Sequence, residues 1–230
     1  MKGLSGKVRI CLDLGHAHIN GNLEKSLQTL GRQLLSDYPT ALQKKGVRVL
    51  GVAESFRKDV GGKAALAGVV MRGDLIIDGV VFGECTVGGM DATDSILEMY
   101  RSLGREDIML LMLNGCIISW FNVIDLQRLH EETGLPVISV TYNPSTGIRE
   151  YFLKYFPDDW GKRLEVYERN GPRVEMTNRN GFKVYFRSVG LDPSDAAKII
   201  DRYTIFGKVP EPLRVARILA HSLLEHMRKR

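Results

Sequence analysis

An α/β fold is predicted by three features of the sequence. Two β-branched runs near the front are joined by a tight polar turn, a later run is apolar at six consecutive positions, and helix-period segments alternate with apolar runs behind it. The first strand is expected over Val47 to Ala53, opened by the turn-like Lys44-Lys45-Gly46. Ala64 to Met71 and Leu75 to Val87 flank Arg72-Gly73-Asp74 and read as an antiparallel hairpin. A Gly88-Gly89 break follows. Thr93 to Leu103 then repeats Ile96, Leu97, Tyr100 and Leu103 at helical spacing behind a capping Thr93 or Asp94. Ile108 to Leu113 is apolar throughout, as a strand covered on both faces must be. A helix over Phe121 to Glu132, stopped by Gly134, and a strand over Pro136 to Thr141 complete a β-β-β-α-β-α-β order with parallel crossovers behind.

Beyond Pro144 the pattern predicts a helix at Ile148 to Tyr155 and a short strand at Val184 to Phe186. Two helices follow, Pro193 to Tyr203 behind Asp192 and Pro212 to Met227. The last sets Leu213, Ala216, Ala220, Leu223, Leu224 and Met227 on one side, and Pro212 suits a first helical turn.

The composition is that of a globular chain, 44% hydrophobic and 26% charged over 230 residues. No apolar run reaches the roughly 18–20 residues that cross a membrane, and no apolar stretch follows Lys2 and Lys7 as a secretory signal requires. Cys11, Cys85 and Cys116 are odd in number and dispersed. That suits a reducing compartment rather than a disulfide framework or a thiolate zinc site, so a cytoplasmic location is expected. The net charge of +5 is unevenly placed: residues 145–230 carry 17 basic and 11 acidic side chains, residues 1–144 carry 15 and 16. The basic surplus is compatible with a polyanionic partner, and equally with a solvated, mildly basic surface.

Three oxygen-bearing side chains follow predicted strands: Glu54 after the first, Asp91 after the third, Asn114 after the fourth. Open α/β sheets place their sites at such strand ends, and a hard cation such as Mg²⁺ or Mn²⁺ takes oxygen ligands completed by water and phosphate. Each also has a plainer reading. Asp91 or Asp94 caps a helix, Asn114-Gly115 makes a turn, and Glu54 is solvated. Gly61-Gly62-Lys63 lacks the rest of a phosphate-binding loop, and no dinucleotide-binding glycine triplet is present. His16 and His18 read as part of a polar loop, Cys116 as a buried thiol, and His221 and His226 as surface groups.

VRVLGVAESF (Val47 to Phe56), LAGVVMRGDLIIDGVV (Leu66 to Val81), VGGMDATDSI (Val87 to Ile96), LMLNGCIISWFNVIDLQRLHEETGLPVISV (Leu111 to Val140) and PEPLRVARILA (Pro210 to Ala220) together resemble the archaeal endonuclease dU family. The resemblance runs from about Lys45 to the C-terminus. Its most specific pieces are the Asp-Ala-Thr, Phe-Asn-Val-x-Asp and Pro-Glu-Pro-Leu-Arg segments.

It implies a ribonuclease H-like mixed sheet, a distant relation to endonuclease V, and metal-dependent nicking of DNA at deaminated bases such as deoxyuridine, with RNA as a second candidate partner. By position it assigns Glu54, Asp91 and Asn114 to the catalytic metal site, with Mg²⁺ or Mn²⁺ as cofactor. Arg214 and Arg217 are the candidate nucleic-acid contacts. The chain departs from the family pattern at Ala53-Glu54, where Asp-Asp is usual. Asn114-Gly115 stands where Asp-Gly is usual, and Tyr142-Asn143 where many relatives are basic. The loss of ligand charge leaves a second reading open, a nucleic-acid-binding relative with weakened or lost catalysis. Residues 44–230 are expected to form the nuclease-like domain. Residues 1–43 are expected to be an extension of unknown role.

Overall fold

The structure, a computed structural model, describes residues 44–58, 62–144 and 147–227. The extension, Cys11, His16, His18 and Gly61 lie outside them. Strands β1 (Arg48–Ser55), β2 (Lys63–Arg72) and β3 (Ile77–Thr86) form an antiparallel meander. Helix α1 (Ala92–Ser102) leads to β4 (Ile108–Leu113), parallel to β1. A two-residue pair, β5 (Ile117–Ile118) and β6 (Asn122–Val123), precedes α2 (Leu126–Thr133) and β7 (Val137–Thr141), which lies parallel to β4. Then come α3 (Ile148–Tyr155), α4 (Trp160–Arg169), the antiparallel pair β8 (Val174–Thr177) and β9 (Lys183–Val189), α5 (Pro193–Tyr203) and α6 (Glu211–Met227). The main sheet runs β3-β2-β1-β4-β7-β9-β8, with β9 antiparallel to β7.

Side-chain alternation along β1 sorts its residues between two faces. Leu50 and Val52 join Leu66, Ile96, Leu97, Leu111 and Leu113 in a core that α1 and α2 cover. Gly51 belongs to the other face, where a Cβ would stand 2.5 Å from the Cβ of Pro212, so α6 rests directly on this strand. Glycine is needed here for close approach rather than for a turn. At the end of the sheet away from Glu54, the guanidinium groups of Arg48 and Arg105 both pair with Asp78, tying β1, β3 and the lead-in to β4.

The elements follow the sequence pattern with three exceptions. The third strand starts at Ile77 rather than Leu75, because Leu75 sits in the turn at φ 68° and its amide donates to the Arg72 carbonyl. The helix expected from Phe121 begins at Leu126, where the Asp125 side chain accepts from the Arg128 amide. The segment before it is the β5–β6 hairpin, whose tip holds Ser119, Trp120 and Phe121 all at positive φ. Helix α4 and strand β8 went unpredicted. The buried residue of α4 is Arg163, so no apolar stripe marks the helix. Strand β8 is a sheet edge without a buried residue.

Candidate active site

The carboxyl ends of β1 and β4 meet at one rim of the sheet. Their parallel register pairs Val52 with Leu113, and the Asn114 amide continues the ladder by donating to the Val52 carbonyl at 3.0 Å. The residue beside Asn114 across this ladder is therefore Ala53. Glu54, one position on, reaches the rim from the face that carries α1. Glu54 and Asn114 nevertheless line the same cleft, with Val52, Ile96, Leu113 and Ile118 as apolar walls. Its volume, about 10 Å³, is close to that of one water or one ion.

Two atoms of this cleft's residues lack what buried polar atoms normally have. Glu54 Oε2 and Asn114 Oδ1 are both buried without a hydrogen-bond partner. Burial pushes the Glu54 carboxyl above the usual glutamate range, against the hydrogen bond from the Ser119 amide and the positive charge of Arg217. Two acceptor oxygens facing no donor are the polar complement of a cation, so this pair of side chains fits one. It brings a single formal negative charge to it.

Asp91 is occupied differently and does not line this cleft. It stands at the N-terminus of α1, but its carboxylate turns back on the chain. It accepts from the Thr86 amide at 3.0 Å, the Thr86 hydroxyl at 2.7 Å and Asn122 Nδ2 at 2.7 Å. Burial works against its charge, but these hydrogen bonds prevail and hold the carboxyl below the ordinary range. Asn122, fully buried, also receives the Ala92 amide and donates to the Thr86 carbonyl, welding the hairpin to the start of α1. Among the described residues no three His, Cys, Asp or Glu side chains are grouped as metal ligands.

Arg163 fixes the same region from behind. Its guanidinium donates to the carbonyls of Gly88, Gly89 and Phe121 at 2.8–3.0 Å, forks onto Asp159, and lies 3.7 Å over the Phe156 ring. The left-handed tip of the hairpin is held from both sides, because the Gly88 amide also donates to the Ser119 carbonyl at 2.7 Å. Around the tip, Phe121 stacks with Tyr151 and Tyr155, Trp120 packs on Phe156, and Lys58 lies 4.9 Å from the Trp120 ring.

The candidate arginines on α6 differ in availability. Arg214 is paired with Glu211 three residues earlier, at 2.5 Å. Both line an open cleft of about 490 Å³ together with Glu54, Ser55 and His221, and the difference between them is the Glu211 pair. Arg163, Asn122 and Ser119 carry much of the geometry, and the residue-by-residue reading of the sequence missed all three. Asn122 alone had a signal, as part of the Phe-Asn-Val-x-Asp segment.

Comparison with known proteins agrees with this architecture. The family described as endonuclease dU matches residues 45–224. The UPF0215 protein of Pyrobaculum calidifontis is 36% identical over 181 residues, covering 79% of this chain and 99% of that protein. The UPF0215 protein of Thermococcus kodakarensis is 37% identical over 192 residues, covering 81% and 97%. Among solved structures, an Archaeoglobus fulgidus protein of unknown function superposes with a TM-score of 0.66 at 30% identity, covering 77% of this chain and 98% of that one. Human endonuclease V superposes with a TM-score of 0.54 at 17% identity, over 91% of this chain and 98% of that one. Ciona intestinalis endonuclease V bound to inosine-containing DNA gives 0.52 at 11%, covering 88% and 99%. The mixed sheet is ribonuclease H-like, and the chain belongs to the endonuclease dU family.

Proposed function

We propose that this protein is a divalent-cation-dependent endonuclease acting on DNA that contains deaminated bases such as deoxyuridine, with Glu54 and Asn114 holding the cation. The observation that carries the reading is the pair of buried, unpartnered oxygens at the ends of β1 and β4. Mg²⁺ or Mn²⁺ bound there would supply a Lewis acid to a phosphodiester oxygen and an activated water. The chain's own groups do the rest. The Ser119 amide orients the Glu54 carboxylate, and the Asn114 amide-to-Val52 bond fixes the strand end that carries the second oxygen. Asp91 acts as a positioning residue, ordering Thr86 and Asn122. Membership of the endonuclease dU family supports the substrate class.

Arg217, which lines a cleft with Glu54, would supply the positive charge that meets phosphate. Tyr151, Tyr155 and Phe121, flanked by Lys58 and Lys154, present rings and cations of the kind on which bases stack. This acceptor pair is a lean one. A single carboxylate binds a divalent ion more weakly than two, so a high metal requirement is expected.

A second reading, a DNA-binding relative without catalysis, is favoured by one observation: Ala53 and Asn114, the neighbours across the ladder, carry no carboxylate between them. One experiment separates the two. Melting with and without Mn²⁺, and nicking of a deoxyuridine duplex, are measured for the parent, Glu54→Gln, Asn114→Asp and Ala53→Asp/Asn114→Asp. The nuclease reading expects a Mn²⁺-dependent melting rise and nicking in the parent, both lost in Glu54→Gln and both increased in Asn114→Asp. A parent without either response, beside a double variant that gains the melting rise, replaces it with the second reading.

A further inference from the structure

We infer that the rings around the tip of the β5–β6 hairpin form a platform for single-stranded nucleic acid, on which unpaired bases stack beside Tyr151. The inference rests on nucleic acid being the partner of the neighbouring candidate site, and adds which form of strand this surface takes. Phe121 at the tip and Tyr151 and Tyr155 on α3 hold their rings nearly parallel, at interplanar angles of 22°, 23° and 16° and centroid separations of 6.0, 5.8 and 6.5 Å. The two tyrosines are four residues apart and so share one helix face. Phe152 and Phe156 meet Phe121 edge-on, and Phe152 is fully buried. These inner rings anchor the tip. The outer ones complete no core, since Tyr151 is 49% exposed and Tyr155 is half-buried.

Exposed rings alone name no partner. The cations resting on them do. Lys58 Nζ lies 4.9 Å from the Trp120 ring and 5.0 Å from that of Tyr155, Lys154 Nζ lies 5.2 Å from Tyr155, and the Arg149 guanidinium lies 5.4 Å from Trp160. All three cations are exposed, and none forms an ion pair among the described residues. The acids nearby are Glu150, whose carboxylate lies against Gly147 at the start of α3, Asp158, which is exposed, and Asp159, which is committed to Arg163. Cations held on ring faces rather than on carboxylates keep their charge for an anionic partner. A second copy of this chain, itself carrying +5, does not complement them. Rings interleaved with cations are what a sequence-tolerant single-strand surface is made of.

The strand must be unpaired. In a duplex each base is covered by its neighbours in the stack, whereas splayed bases of a single strand present faces that aromatic side chains can meet. Tyrosine supplies that contact at low entropic cost. The platform is also continuous with the candidate site. The Ser119 amide bonds Glu54, and Trp120 and Phe121 follow it directly. The bonds from Gly88 to Ser119 and from Arg163 to Phe121 fix this tip, so the rings are ordered before a strand arrives. A strand whose bases lie on Tyr151 is thereby held beside the end of β1. Stacking requires neither a divalent cation nor strand cutting, so it can be read apart from nicking.

The test is fluorescence anisotropy of a labelled oligothymidylate of roughly twelve nucleotides, with EDTA present so that no strand is cut, for the whole protein and its Tyr151→Ala, Tyr151→Phe and Lys154→Gln variants. An abasic strand with the same number of phosphates and a duplex of the same length are the control probes. The parent should bind the thymidylate at least about fivefold more tightly than the abasic strand. Tyr151→Ala should lose about that factor on the thymidylate and stay within about twofold of the parent on both controls. Tyr151→Phe keeps the ring and should keep the parent's affinity. Lys154→Gln should make the logarithmic salt slope shallower, and Tyr151→Ala should not. Equal losses on all three probes assign Tyr151 a structural role and overturn the inference. So does a parent that binds no strand at low salt or binds thymidylate and abasic strand alike, and so does a Tyr151→Ala that binds thymidylate as the parent does. Sedimentation tests the other occupant: a dimer that Tyr151→Ala dissociates, with strand binding unchanged, also overturns it. Should Tyr151→Ala fail to fold, Tyr151→Leu is read by the same comparison. Base-dependent binding without nicking of deoxyuridine DNA keeps this inference and removes the nuclease reading, whereas nicking without base-dependent binding does the reverse.

Discussion

Replacing Arg163 by methionine should be among the most damaging single changes available in this fold. The guanidinium serves three backbone carbonyls, those of Gly88, Gly89 and Phe121, and a bidentate pair with Asp159. Its side chain is 3% exposed while that of Asp159 is 35% exposed, so the two ends of the pair are not equivalent. Methionine keeps much of the packing on Phe156 but leaves three carbonyls and a carboxylate without their donor. Hydrogen bonds to a charged group contribute about 1.5–3 kcal/mol each, though not additively. Breaking a buried pair costs about 3–5 kcal/mol. With half-exposed loops allowing water to replace part of what is lost, Arg163→Met should cost about 3–5 kcal/mol, a large share of a typical total of about 5–15. Asp159→Asn should cost only about 1 kcal/mol, since its oxygens reach solvent. Urea unfolding of both variants measures the two losses. Hydrogen exchange across residues 117–123 reports whether the left-handed tip opens first. A loss below about 1 kcal/mol for Arg163→Met, or equal losses for the two variants, would refute the carbonyl-staple argument.

Gly51→Ala should destabilise by roughly 1–3 kcal/mol in chemical denaturation, because the new methyl meets the Cβ and the backbone of Pro212 at 2.5 and 2.8 Å; a neutral result would mean that α6 shifts freely on β1. Glu54 sets a pH dependence. Burial raises its carboxyl above the ordinary value of 4.5, so folding favours the protonated form, and metal-free stability should fall as pH rises from 4.5 through the raised value. Glu54→Gln should remove that slope, and an unchanged slope assigns it to other groups. Binding to DNA should weaken steeply with added salt, and Arg217→Gln should make the logarithmic salt slope shallower by about one phosphate contact while Arg214→Gln, already paired with Glu211, changes it less. Equal effects of the two substitutions would remove the distinction drawn from their pairing.

The parts of this fold that the sequence discloses are those whose burial follows a period. Ile108–Leu113 is covered on both faces and reads directly as a strand. Helix α5 announces itself through Asp192 and Pro193 before a run that buries Ala196, Ile199 and Ile200. The hidden parts are those where polar groups do the burying. Arg163 takes the core position of α4, Asn122 joins two segments 31 residues apart in its bond to Asp91, and Arg187 sits inside a strand with neutral partners. Their partners are distant in the chain, so no local pattern encodes them. The candidate site divides the same way. Strand ends brought Glu54 and Asn114 into view, whereas the Asp91 carboxylate is taken up by Thr86 at the end of β3 and by Asn122 of a hairpin that helical spacing disguises.

That hairpin also explains how a carboxylate can occupy position 54. Along a strand, a shift of one residue moves a side chain to the opposite face. An acidic group at position 53 would lie beside Asn114 across the β1–β4 ladder, on the face that α6 covers. At position 54 it borders both clefts at the strand end, the one that Arg217 lines and the one with apolar walls, where a charge is unfavourable unless something meets it. What meets it is the Ser119 amide, delivered by a chain that turns through three successive left-handed, non-glycine residues. Such backbone is costly and persists only where its surroundings over-determine it. Here Gly88 holds Ser119, Arg163 holds Phe121, and Asn122 locks the strand that follows. The position of the one carboxylate, the strain of the hairpin and the buried arginine behind it are thus parts of a single arrangement. Glu54 takes a hydrogen bond from the hairpin and keeps Oε2 buried without a partner, in a residue that shares its cleft with Asn114.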